Sequence, residues 1–184
     1  MSDKNSIWNE AGKAGLVLGC VSIAYLVIST LMAKLMGDQV GLNFIISVFN
    51  VLLWAAKFAG CIYLMYYFLK KFADANGRDR SKVFKYGMAV ALLSALLYSA
   101  AYLVYVLYID PEALTNSLAQ VMESYSSMIP AEDMEMVEDM SGTLPTVSFF
   151  SNLIWCWLFG TVLSAIFSSR ICGGSSNNPF VDEQ

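Results

Sequence analysis

The sequence predicts an all-α integral membrane protein: an antiparallel four-helix transmembrane bundle with one or two short amphipathic helices in its third connection. Three observations lead there. The chain is 57% hydrophobic and 14% charged with a mean hydropathy of +0.55, too apolar and too charge-poor for an ordinary water-soluble domain. Four stretches reach the roughly 20 mostly apolar residues that a bilayer-spanning helix needs, namely 14–35, 43–68, 86–108 and 146–167. Basic residues fall on alternate sides of those stretches. Lys4 and Lys13 precede the first, Lys70, Lys71, Arg78, Arg80, Lys82 and Lys85 fill the second connection, and Arg170 follows the fourth, while Lys34 alone lies on the other side. The positive-inside rule then places both termini, including the tail 171–184, and the second connection in the cytoplasm. What remains outside the spans is too short for a separate soluble domain, so 1–184 reads as a single membrane domain.

In the first span, "VLGC" at Val17–Cys20 partly resembles a lipoprotein cleavage box, but the apolar run continues well past Cys20, so a retained span is expected. Helices in lipid associate where small residues let their backbones approach. Every span offers such residues in steps of four, hence on one face: Ala11, Gly15 and Gly19; Ala56 and Gly60; Gly87, Ala91, Ala95 and Ser99; Cys156, Gly160, Ser164 and Ser168. A compact bundle is the natural consequence.

The second span also carries a polar stripe, Asn43, Ser47, Asn50, Trp54, Lys57 and Cys61, whose alternating steps of three and four keep it on one face. Its centre is Lys57, inside "LLWAAKFAGCIYLMYYFL" (52–69) and about thirteen residues from either end of the span, roughly 20 Å from each edge. That is too deep for the side chain to reach water along its own helix. Tyr25, Tyr98, Trp157 and Thr161 fall at similar depth in the other spans, and Trp54 precedes Lys57 by one turn. The candidate binding residues are therefore Lys57, Asn50, Trp54, Tyr25, Tyr98 and Trp157, with aromatic faces and hydroxyls partnering the cation. Polar residues elsewhere, among them Ser29, Thr30, Tyr102, Tyr105 and Asn152, outline a vestibule opening outward or simply bond between helices.

The third connection, 109–145, carries eight acids and no base, and on this topology it faces outward. Asp110 and Pro111 suit a helix start, and Leu114, Leu118, Val121, Met122 and Tyr125 recur at helical spacing. A second short helix runs from Pro130 until Gly142 and Pro145 end it. The methionines Met122, Met128, Met134, Met136 and Met140 raise Cu(I) capture as a question, but adjacent positions point to different helix faces, and amphipathic packing explains them. The expected metal set is none, and no cofactor is expected.

The segments "WNEAGKAGLVLG", "KVFKYGMAVALLSALL" and "YIDPEAL" resemble domain-of-unknown-function family 4199, small four-span inner-membrane proteins found mainly in Bacteroidetes. The resemblance covers most of the chain up to the fourth span. It implies location and architecture, and it brings no activity, substrate or site residues.

The chain contains no histidine, which removes Ser-His catalysis, HExxH zinc sites and histidine proton relays. The spans hold no Asp or Glu, which removes carboxylate-driven proton transport. An enzyme is not expected, and the acidic balance of −4 argues against nucleic acid as a partner. The cysteines, Cys20, Cys61, Cys156 and Cys172, include no CxxC pair and read as packing residues. The expected partners are the lipid bilayer and a membrane protein or a second copy of the chain. The resulting functional expectation is a non-enzymatic scaffold or accessory subunit of an envelope assembly; the alternative is a carrier or channel-like protein for an anion or amphiphile that uses Lys57.

Overall fold

A computed structural model describes residues 2–34, 40–112, 114, 116, 119 and 140–173. The described residues form helices and no strand: α1 (Ser2–Lys34), α2 (Val40–Ala75), α3 (Arg80–Val104) and α4 (Leu144–Gly173). Four helices are long and apolar enough to cross a membrane, as the periodicity and length of the apolar runs predict. The chain is thus a multi-pass membrane protein.

The helices outrun the apolar stretches, mostly at the end carrying the termini, because polar residues prolong them until a cap intervenes. Between α2 and α3 that cap is explicit. Gly77 takes φ 75°, and the Arg78 N–H reaches back to the Ala73 carbonyl at 2.9 Å, the six-to-one bond of a Schellman motif. Asp79 then caps α3, its carboxylate accepting from the Ser81 and Lys82 N–H groups at 2.9 and 3.4 Å. Arg78 bonds Asp74 one turn back at 2.9 Å, an exposed pair that fixes the turn more than it stabilises the fold. At the other end of α3 the helix widens into a π-turn, Tyr105–Ile109, closed by the Asp110 N–H on the Tyr105 carbonyl at 3.0 Å. The Tyr105 hydroxyl bonds the Asp110 carboxylate at 3.1 Å. The expected helix from Asp110 shows Leu114, Asn116 and Ala119 in helical conformation. The rest of the expected amphipathic helices, with Met122, Met128, Met134 and Met136, lies outside the described residues, as does the tail beyond 173. A 3₁₀ turn, Met140–Thr143, leads into α4.

Chain direction alternates along the sequence, yet the order around the bundle differs from the order in the chain. α3 packs chiefly against α1 and α4, whereas α2 touches α1 and α4 more than it touches α3. The small residues explain the central place of α3. A Cβ on Gly15 would lie 2.9 Å from the Leu93 Cβ and 3.2 Å from the Val90 carbonyl oxygen, so α1 and α3 approach almost backbone to backbone. On the opposite side a Cβ on Gly160 would lie 2.5 Å from that of Ala91, and Gly87 faces the Ser164 side chain. The Ser164 hydroxyl crosses the seam to the Phe84 carbonyl at 3.1 Å. The Ala56–Gly60 step of α2 departs from expectation: Ala56 is exposed, and a Cβ on Gly60 would meet nothing within 4 Å. Its pattern is that of the other three, but among the described residues it packs on no other helix.

The close-packed core sits toward the terminal end, with Ala11, Leu69, Ala73, Val83 and Val90 fully buried. There α2 joins through Met65, Leu69 and Phe72, whose ring stacks on Tyr86 at 4.1 Å. Toward the acidic connection α2 packs more sparsely: Ile46 is buried and Asn50 bonds Ser29, but Phe44, Ile45, Val51 and Leu52 are exposed toward the bilayer's apolar interior.

Candidate functional site

Where α2 parts from its neighbours, a cavity of about 510 Å³ lies among all four helices, of a size usual for small-molecule sites. Its origin is local. α3 presents Ala91, Ser94 and Ala95 at this height, side chains too short to fill the space in front of α2. α2 presents the long or ringed residues Trp54, Lys57 and Phe58, which hold the helix off.

Lys57 stands on the wall. Its Nζ lies 4.8 Å from the centre of the Tyr98 ring and 4.9 Å from that of Tyr25, both within cation–π reach. Tyr98 lines the large cavity, and Tyr25 lines a smaller one of about 290 Å³ with Ser47, Asn50, Val51 and Trp54. The ammonium therefore sits at the boundary of the two, and Trp54 borders both. Among the described residues Lys57 makes no hydrogen bond and no ion pair; ring faces are its partners. In a medium without water that leaves three N–H donors with no acceptor oxygen, a costly state unless an anion or trapped water meets them.

Around the lysine the cavity is graded. Near the level of Lys57 it has polar members, Asn152 and Ser94, with the rings of Trp54 and Trp155 at its rim. Ser22 approaches Cys61 at 3.9 Å a turn lower. One turn lower again the walls are Leu18, Met65 and Leu163. The exposure of Trp54 (55%), Trp155 (74%) and Phe159 (41%) shows that the mouth opens sideways between α2 and α4. Phe58 bridges that mouth from below, stacked on Trp54 at 5.6 Å and tilted against Phe159 at 5.2 Å.

Five of the six candidate residues come together. Lys57 meets Tyr25 and Tyr98, Trp54 borders both cavities, and Asn50 accepts from Ser29 at 3.5 Å on the smaller one. Trp157 does not join them. It packs instead into the groove against α3 and the start of α1, beside Trp8, Lys85 and Leu92, because the neighbouring Cys156–Gly160 face is the one α4 directs toward the cavity. Thr161 bonds its own helix, at the Trp157 carbonyl. The Asn43 side chain lies outside the described residues. Sequence reasoning missed Ser22, Ser94 and Cys156 as cavity residues; Cys156 lies on a small-residue ridge and Ser22 and Ser94 lie three residues beyond Gly19 and Ala91 of two others, which was the available signal. Cys61 and Cys156 both line the cavity, but among the described residues no three metal-ligating side chains cluster.

Chemically the arrangement can hold and orient an anionic head against one fixed cation, with neutral donors beside it.

The family model that matches the chain, described as "Protein of unknown function (DUF4199)", spans residues 13–171. No curated protein and no solved structure matches it.

Proposed function

Since the chain belongs to this family of unknown function, its role is read from its own geometry, and we propose that it is a non-enzymatic membrane protein that holds an amphiphilic small molecule in the cavity among its helices. The observation that carries this reading is Lys57, a cation at mid-membrane depth on the wall of a side-opening cavity, with aromatic rings but no acceptor oxygen as partners among the described residues. Intramembrane charges of this kind are retained at binding sites more readily than in passive packing. Protein taken from native membranes in mild detergent, then extracted with organic solvent, is expected to release one small amphiphile near one equivalent per chain. The Lys57→Met protein is expected to release much less. Parent protein that carries only the bulk lipid mixture would remove the reading.

A second reading, an accessory subunit or scaffold of an envelope assembly, has one specific observation behind it: the outward Ala56–Gly60 step of α2, which leaves room for a helix of another membrane protein or of a second copy.

Under either reading we place both termini in the cytoplasm and 109–145 outside, on the asymmetry of its basic residues, and the family resemblance implies a bacterial inner membrane. A cysteine introduced at Ser127, in a background without native cysteines, is expected to react with an impermeant thiol reagent in intact cells. Labelling that needs lysis would invert the orientation.

A further inference from the structure

We propose that the cavity selects a single-chain amphiphile with one negative charge on its head, entering from the bilayer between α2 and α4; this rests on the amphiphile-binding reading above. The charge follows from the lining. Among the described residues Lys57 is the one Lys, Arg, Asp or Glu that lines the cavity, and its other polar members are the hydroxyls of Ser22, Ser94 and Tyr98, the Asn152 amide and two cysteines. One negative charge is neutralised there. A second would stay uncompensated in a low dielectric, and the cationic half of a zwitterion would find no carboxylate among the described lining residues.

The polarity gradient sets the orientation. From Lys57 down to Met65 is eight residues of one helix, about 12 Å at the rise of an α-helix. Over that distance the walls change from Lys57, Tyr98 and Asn152 to Leu18, Met65 and Leu163. A head at the lysine thus places its chain pointing toward the terminal end of the bundle. The floor is the close-packed core, where Met65 is 2% exposed and Leu69 fully buried, so the chain is short and runs no further. A cavity of about 510 Å³ with that floor takes one such chain more readily than two. The head can also arrive without passing through water-free lipid unaccompanied, because Trp54 and Trp155 at the mouth offer ring edges and N–H groups on the way.

The test uses the full chain in nanodiscs of zwitterionic lipid and reads quenching of its tryptophans, two of which, Trp54 and Trp155, line the cavity. Bromodecanoate is the probe, with bromodecanol as its neutral counterpart. Quenching by bromodecanoate is expected to saturate, to be displaced by unlabelled decanoate, and to need about tenfold less ligand than quenching by bromodecanol, one factor of ten corresponding to about 1.4 kcal/mol. Lys57→Met is expected to erase the tenfold preference, and Lys57→Arg to retain most of it. Equal, saturable quenching by both probes in the parent would overturn charge selection while leaving amphiphile binding intact. No saturable quenching by either would overturn both. Displacement of bromodecanoate by phosphatidylglycerol doped into the nanodisc would overturn the single-chain assignment, giving the site to a bilayer lipid instead.

Discussion

Gly87→Ala is expected to destabilise the bundle by about 1–3 kcal/mol, although alanine is the better helix former by nearly 1 kcal/mol. The added methyl would overlap Ser164 and sit 3.2 Å from Leu69 Cδ2. To make room, α4 must withdraw from α3 and loosen the bond from the Ser164 hydroxyl to the Phe84 carbonyl, an interaction averaging about 0.6 kcal/mol in membranes. Gly60→Ala is the control on the same chemistry: nothing lies within 4 Å of its new methyl, so the helix propensity term acts alone and stability holds or rises. Unfolding by titration with a denaturing detergent measures both. If Gly87→Ala matched or exceeded the parent, the α3–α4 seam as described would be wrong. The larger Gly60→Leu change addresses the accessory-subunit reading, which expects a co-purifying partner to be lost while the chain stays as stable as before.

Removing both ring faces from Lys57, by Tyr25→Leu with Tyr98→Leu, is expected to cost more than the rings' own burial. Each cation–π contact contributes about 0.5–2 kcal/mol, so the pair holds about 1–4 kcal/mol that exists because the cation does. The clean measure is a cycle in which the same tyrosine changes are made in the Lys57→Met background, where lost packing remains and the coupling is gone. Lys57→Met by itself is expected to leave stability equal or higher, since a thioether of similar length needs no partner in this setting. A coupling near zero would mean the rings pack beside the lysine without holding it.

Depth along a helix was legible in the sequence and rotation about it was not. Counting residues at a fixed rise puts Tyr25, Tyr98 and Trp157 level with Lys57, and the two tyrosines do meet it. Trp157 fails because each residue turns the helix by about 100°, and the Cys156–Gly160 face beside it is the one drawn inward. The ridges show the same limit. Gly60 and Gly160 look alike in the sequence, yet one meets Ala91 and the other meets nothing, because the step pattern says a close approach is possible without naming the partner. The apolar stretches showed where lipid begins and ends, whereas the helix ends beyond it depended on caps such as Gly77 and Asp79. The cavity itself left no mark in any single span. It arises from short side chains on α3 standing opposite long ones on α2, a coincidence across elements that periodicity within one element does not record.

The lopsided packing of α2 makes it a lever. Its fulcrum is the Phe72–Tyr86 stack near the terminal end, and from Phe72 to Val40 the arm runs about 48 Å, tied along the way only at single points such as buried Ile46 and the Ser29–Asn50 bond. A tilt of about 3° about that point would carry the far end some 2.5 Å outward, whereas Lys57, less than halfway along, would move only about 1 Å. A lysine's flexible stem absorbs such a shift, so the ammonium could stay over its rings while the mouth beside Trp54 widens. Thermal agitation of ordinary size could then open the lipid-facing door without first pulling the charge from its cage.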